Sequence, residues 1–459
     1  MSLFIKKSLT SYKILNWKFV HKKIFKLQNR MVQQLKKKNF RKARHLQRLL
    51  LKSLISHLLV SQKFIEIKNS KYFEAYKAGR NDLFLGLLNL NNFIQFENYF
   101  FFQQSDIVHH NFLLYFHFLS LLWVLALIPV NETLSDSFFY NYRLYRDQTD
   151  ILNELCCVYN FTNYKWLLIL RPMGFLKDQN QKWLIENILM EKKFLLSILK
   201  NRKFVKCNRK ISKPKELIEI KKISLIKLIK SSCFYNFPEL KENSEKSLNI
   251  STICYNNLIL VPSANKNHLK IIYRIIFKFL QVRGLSINKN RIWIVNIFDG
   301  FNFLGWFLKK EKNRIIFKIS YENIKSHQLE IKKFLKSSKF LPIDKAIINL
   351  NKKIINWQSY YAYGSGLSQI WSDMNYYIFS RIWRWCKKKH KNKGSKWLYS
   401  RYWAQSGSKR WIFHYNKQYL KAYDLKKQKI IPLLASINAC DLKNQKKVQK
   451  IVSKKLENR

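Results

Sequence analysis

Between Ile348 and Phe413 the chain crowds seven tryptophans, Trp357, Trp371, Trp383, Trp385, Trp397, Trp403 and Trp411, beside Tyr360, Tyr361, Tyr363, Tyr376 and Tyr377. Rings of this size carry large buried areas, so the segment must fold around many of them. Cations lie between the rings: Lys352, Lys353, Arg381, Arg384, Lys387, Lys388, Lys389, His390, Lys396, Arg401, Lys409 and Arg410. Two uses fit that pattern. The rings can fill a small helical core, or they can stack on unpaired bases while the cations hold phosphates.

The charge balance favours a polyanionic partner. The 459 residues include 86 Lys and Arg against 27 Asp and Glu, a formal net charge of +59. Such an excess exceeds what solubility needs and suits a surface that displaces counterions from phosphates. An anionic membrane is the second partner that this charge allows. Hydrophobic residues make up 47%, enough for two or three domains with real cores rather than a disordered basic tail.

The seven cysteines, at 156, 157, 207, 233, 254, 386 and 440, contain no C-x-x-C pair. Neither a zinc ribbon nor a disulfide framework is expected, and no cofactor motif is present. The ten histidines form no metal or nucleophile constellation, so metal and cofactor are both expected to be none. Heavy use of Lys, Asn, Ile and Phe points to an AT-rich genome such as an organelle's. No cleavable targeting segment stands apart from the first folded stretch, so synthesis inside the organelle is expected.

Apolar residues recur at helical steps from Asn16 to Gln62: Trp17, Val20, Ile24, Leu27 and Met31, then Ala43, Leu46, Leu50, Leu54 and Leu58. Arg41, Arg44 and Arg48 fall on a separate face of the second helix, and no acid precedes Glu66. The run Phe112–Val130 is apolar over nearly a bilayer's thickness, but His117 interrupts it, Pro129 ends it, and basic charge flanks both sides. It is read as a buried helix. An aromatic-Arg-x-x-Arg sequence follows, with Pro129, Glu132, Asp136, Phe139, Tyr142, Arg143, Arg146, Asp147 and Ile151 in order.

Further on, Lys165–Ile188 reads as a strand and turn, Cys254-Tyr255-Asn256-Asn257 as a hairpin, and Arg283–Trp306 as strands turning at Gly300 and Gly305. Together with Asn351, Lys352, Trp357, Tyr360, Tyr361, Asp373, Arg381, Trp383, Trp385 and His390, these segments resemble the reverse transcriptase and maturase proteins of group II introns. The Ile348–Phe413 stretch is similar to their domain X. The segment from residue 16 is similar to the extension that precedes the fingers, through Trp17, Leu27, Gln28, Arg30, Leu46, Gln47, Leu50 and Ser53.

The resemblance implies an α+β fold: a reverse-transcriptase-like fingers and palm, degenerate here, followed by an α-helical thumb or maturase domain X. The units expected are a basic helical extension over residues 1–70, fingers and palm over 71–310, domain X over 311–425, and a basic tail over 426–459 without an endonuclease domain. At the family's palm acids stand Arg171, Lys177, Asn256 and Asn257. Two metal ions need carboxylates, so no polymerase chemistry and no DNA-polymerase substrate are expected.

The expected function is a maturase that binds intron RNA and stabilises its catalytic fold, with no membrane association and an undetermined oligomeric state. An active reverse transcriptase is the alternative, and a basic membrane protein the third reading. A plastid is the expected compartment, with a mitochondrion second. The residues expected on RNA are Arg41, Arg44, Arg48, Arg143, Arg146, Lys352, Lys353, Trp357, Tyr360, Tyr361, Arg381, Arg384, Lys387, Lys388, Lys389, His390, Lys396 and Arg401.

Overall fold

Asparagines start the first two helices. Asn16 Oδ1 accepts the Phe19 N–H at 3.3 Å ahead of α1 (Trp17–Lys36), and Asn39 Oδ1 accepts the Lys42 N–H at 3.1 Å ahead of α2 (Phe40–Lys52). Each side chain satisfies a donor that the first turn cannot. α1 buries Val20, Ile24, Gln28, Met31, Val32 and Leu35, and α2 buries Ala43, Gln47 and Leu50. The expected stripe through Leu54 does not continue. The chain extends at Ser53, and Leu54 is exposed at the start of α3 (Leu54–Glu66).

This computed structural model describes residues 16–66, 106–136, 139–140, 142–200, 224–238, 252–312, 314–406 and 410–457. All of 71–105 and most of 201–250, within the unit expected over 71–310, therefore lie outside the described residues.

The long apolar run lies in α4 (Asp106–Leu134). From Leu122 to Val130 every residue is buried, packed among α1, α2 and α3 and against α8 (Leu225–Ser232). Among the described residues no helix is long and apolar enough to cross a membrane. Pro129 does not end this helix, as its sequence position suggested, but sits inside it. A proline has no N–H for the carbonyl four residues back. That carbonyl belongs to Leu125, and the buried Gln28 side chain donates to it instead at 2.9 Å.

α5 (Gln148–Phe161) begins with a capping box made by Asp147 and Asp150. β1 (Trp166–Leu170) follows, then α6 (Asp178–Asn187) and α7 (Lys192–Lys200). With β2 (Ile253–Tyr255), β3 (Leu258–Ser263) and β4 (Ile292–Asn296), β1 forms an antiparallel sheet in the order β2-β3-β1-β4. Successive strand residues face opposite ways, and the sheet uses both faces. Leu168, Leu170, Ile259 and Val261 join the core that holds α1 and α4, while Leu167, Ile169 and Leu260 join a second core with α5.

α9 (His268–Val282) connects β3 to β4. Gly284 follows it at φ +66°, where an added Cβ would meet the Gln179 and Asn180 backbone at 2.5 Å. Only glycine fits there, which accounts for the Arg-Gly-Leu sequence.

The second core continues into a meander, β5 (Phe301–Phe303), β6 (Trp306–Glu311) and β7 (Arg314–Ile319). Four helices follow: α10 (Tyr321–Ser337), α11 (Ile343–Tyr360), α12 (Leu367–Lys389) and α13 (Ser395–Tyr402). A small sheet, β8 (Trp403–Ser406), β9 (Arg410–Tyr415) and β10 (Gln418–Tyr419), closes that half. Helices and strands mix as the α+β expectation has it.

The segment read as a basic tail is built into the first half of the molecule. Leu433, Ala435, Ile437, Asn438, Ala439, Cys440 and Asp441 are all buried. Asp441 pairs with Lys36 of α1 at 2.5 Å. From α14 (Gln445–Glu457), Lys455 pairs with Asp150 at 2.7 Å.

Candidate nucleic-acid interface

Arg143 and Arg146, both expected on RNA, are instead internal groups. Arg143 donates to Glu132 Oε2 at 3.0 Å, and Arg146 reaches Glu132 Oε1 at 3.3 Å, with all three side chains 2% exposed or less. Their remaining donors go to tail carbonyls. Arg143 bonds the oxygens of Ala435 and Ile437, and Arg146 those of Leu434 and Ile437. Burial raises the Glu132 carboxyl, but the two guanidinium groups outweigh it and hold the acid ionised below its ordinary range. Only Arg146 Nε lacks an acceptor, and it is buried out of a phosphate's reach.

Three rings expected on RNA also pack inside. Trp357 stacks on His327 with centroids 4.4 Å apart, and meets Trp371 and Tyr423 edge-on. Tyr361 is 4% exposed and packs against Trp306. The Tyr360 hydroxyl donates to the Leu304 carbonyl at 2.7 Å. Gly305, at φ +86°, leaves room for Tyr361, whose hydroxyl would lie 2.4 Å from an added Cβ. The Tyr-Tyr pair therefore joins α11 to the β5–β6 turn.

Two lysines and the histidine are engaged as well. Lys353 pairs with Glu330, and Lys389 donates to the Leu341 carbonyl at 2.6 Å, tying α12 to the α10–α11 junction. His390 Nε2 bonds the Tyr402 hydroxyl at 2.8 Å. Burial, with Lys389 and Lys393 nearby, holds its imidazole below the ordinary value.

Solvent-facing cations remain on four helices. Arg41, Arg44 and Arg48 are exposed on α2, opposite its buried face. Lys352 is exposed on α11, and Lys396 and Arg401 on α13. Arg384, Lys387 and Lys388 are exposed on α12, where the last-turn lysines also complement the helix dipole. Arg381 is half-buried, with its guanidinium 5.0 Å from the Tyr377 ring centre.

The α12 cations sit beside rings. The helix turns Leu367, Trp371, Met374, Ile378, Ile382 and Trp385 into the core. On the other side, Tyr376 is 77% and Phe379 43% exposed. Phe379 and Trp383 stack at 6.3 Å, Tyr399 of α13 stacks on Trp403 at 5.9 Å, and Trp383 meets Trp403 edge-on at 5.0 Å. Lys387 Nζ lies 5.5 Å over the Trp383 ring. A rigid aromatic step thus carries cations along one side. Phe379 and Tyr399 escape the sequence reading. The signal that finds Phe379 is the series 376, 379, 383, 387 on α12, at three- and four-residue steps.

Arg171 and Lys177 are exposed, Arg171 at the end of β1 and Lys177 just ahead of α6. Asn256 and Asn257 form the β2–β3 turn with φ of 47° and 63°. The β1–β3 register places Arg171 opposite Leu258, directly beside that turn. Among the described residues no three His, Cys, Asp or Glu side chains converge as a metal site.

The step on α12 lies within residues 324–403, which match the family model of the group II intron maturase-specific domain. Residues 12–71 match that of the N-terminal domain of reverse transcriptase. Over these two segments the chain is similar to those two kinds of domain. A relative in Euglena longa, the ribosomal operon-associated A protein, is 25% identical over 230 residues, covering 49% of this chain and 41% of that protein. The chain thus aligns with less than half of that relative's length.

Proposed function

We propose that the protein is a maturase that assists splicing of group II introns by binding and stabilising the folded intron RNA. The observation that carries this reading is the step of exposed Tyr376 and Phe379 with half-buried Trp383 and Tyr399, beside Arg384, Lys387 and Lys388, inside the maturase-specific match. Rings offer sequence-tolerant stacking to unpaired bases, and adjacent cations take the phosphates between them. The Arg41, Arg44 and Arg48 face adds a second cationic surface, in the reverse transcriptase N-terminal match.

The fingers, palm and thumb arrangement belongs to this proposal, with the four-stranded sheet as a palm that does no chemistry. Asparagine tolerates the positive φ of the hairpin as aspartate would, so Asn256 and Asn257 keep the turn while removing its charge. Arg171 beside them repels the cations that polymerase transfer needs. The intron RNA supplies the catalyst, and a plastid is the compartment that the composition favours.

The experiment is RNA binding by the full chain, comparing a group II intron RNA with an unrelated RNA of equal length. The intron RNA is expected to bind more tightly. Trp383→Ala with Lys387→Glu should weaken binding by a factor of about 10 or more, since one stacked base is worth about 1–3 kcal/mol. Equal affinity for both RNAs contradicts the proposal, as does primer extension by the unaltered protein.

A further inference from the structure

A separate cationic surface lies at the open end of the four-stranded sheet. Antiparallel register sets Arg171, just past β1, opposite Arg291, just before β4, and the Arg171 N–H donates to the Arg291 carbonyl at 3.1 Å. Directly opposed residues project to the same side of a sheet. Two residues on from Arg291, along the edge strand, Trp293 is 42% exposed and paired in register with Ile169. Strand positions two apart share a face, which sets Trp293 on the side of Arg171, while half-buried Arg291 ends a short 3-10 turn, Lys289–Arg291, immediately ahead of β4. Exposed Lys177 and Lys289 flank them.

The surrounding chain reinforces the charge. Residues 163–177 and 252–298, which supply all four strands and α9, contain no Asp or Glu. The same segments contain Lys165, Arg171, Lys177, Lys266, Lys270, Arg274, Lys278, Arg283, Lys289 and Arg291. A field of one sign over a sheet edge attracts anions, and guanidinium is the side chain best shaped to grip a phosphate with two parallel bonds. An exposed indole beside a phosphate-binding pair suits a strand whose bases are unpaired.

We propose that Arg171 and Arg291 take a backbone phosphate of bound RNA at this sheet end, with Trp293 stacking on a neighbouring base. The site rests on the RNA-binding reading above, but it lies outside both family-model matches and far in sequence from the α12 step. It makes the sheet a binding surface rather than a spacer between the two matched modules.

The test is the salt dependence of RNA binding by the full chain, with Arg171→Gln and Arg291→Gln combined. Losing one phosphate contact on a single strand should flatten the slope of log affinity against log salt by about 0.7. The double Arg→Lys variant keeps the charge and should keep the slope, which separates a phosphate contact from a packing role. Trp293→Ala should lower affinity for single-stranded RNA by at least about fivefold. An unchanged slope and affinity in both variants overturns this site while leaving the α12 step standing. Failure of the unaltered protein to bind RNA removes the broader reading instead. Should the Gln variant not fold, photocrosslinking of the unaltered protein decides: an RNA adduct is expected on the peptide containing Trp293, and its absence overturns the site.

Discussion

Gln28 donates its side-chain amide to the Leu125 carbonyl at 2.9 Å, across 97 positions, filling the place that Pro129 vacates in α4. Both groups are buried, so the bond prevents an unsatisfied acceptor inside the first core. Gln28→Leu should cost about 1–3 kcal/mol in urea denaturation. Pro129→Ala restores a backbone donor to the same carbonyl, so in that background the loss should shrink. Equal losses in both backgrounds would break the proposed link.

Glu132 is the counter-charge for Arg143 and Arg146, and those two arginines hold the carbonyls of residues 434 to 437. Glu132→Gln leaves two buried guanidinium groups without an anion. The expected loss is about 3–5 kcal/mol, the usual cost of breaking a buried pair from one side. Limited proteolysis should also open the segment around Leu433–Asp441, which is closed in the intact protein. Unchanged stability would show that the tail holds without the arginine pair.

His327 lies between Trp357, on which it stacks, and the Tyr423 hydroxyl, 2.7 Å from its Nε2. Burial lowers its pKa from 6.5 to about 4. In the unfolded chain the imidazole takes a proton near its ordinary value, so the unfolded state binds more protons between these limits. The stability from a neutral buried imidazole is therefore full above pH 6.5 and lost as pH falls towards 4. The stability difference between the unaltered protein and His327→Gln should shrink by roughly 3 kcal/mol across that window. A difference that stays flat from pH 7 to pH 4 contradicts the buried, neutral assignment.

Local pattern carried much of the fold. The apolar run now in α4, the α1 stripe and the Ile- and Val-rich strands are legible because each element shows its periodicity within a few residues. The arginines were not. Arg143 and Arg146 read as outward charges because their partners, the carbonyls of Ala435 and Ile437, lie some 290 positions away. Trp357, Tyr360 and Tyr361 went the way large rings usually go, into a core, and the RNA-facing candidates are the rings on the opposite side of the next helix. Pro129 misled for a related reason, since the side chain that replaces its missing donor comes from α1.

The most direct measurement is crosslinking of RNA to the protein in its own cells, followed by sequencing of what is bound. A maturase with its aromatic step on intron RNA predicts enrichment of intron-containing precursors over their spliced products, with contacts inside the intron. Trp383→Ala with Lys387→Glu should reduce that enrichment at unchanged protein level. Crosslinks spread over ribosomal and spliced RNA in proportion to abundance would contradict the account, leaving a basic RNA-binding protein with no tie to splicing.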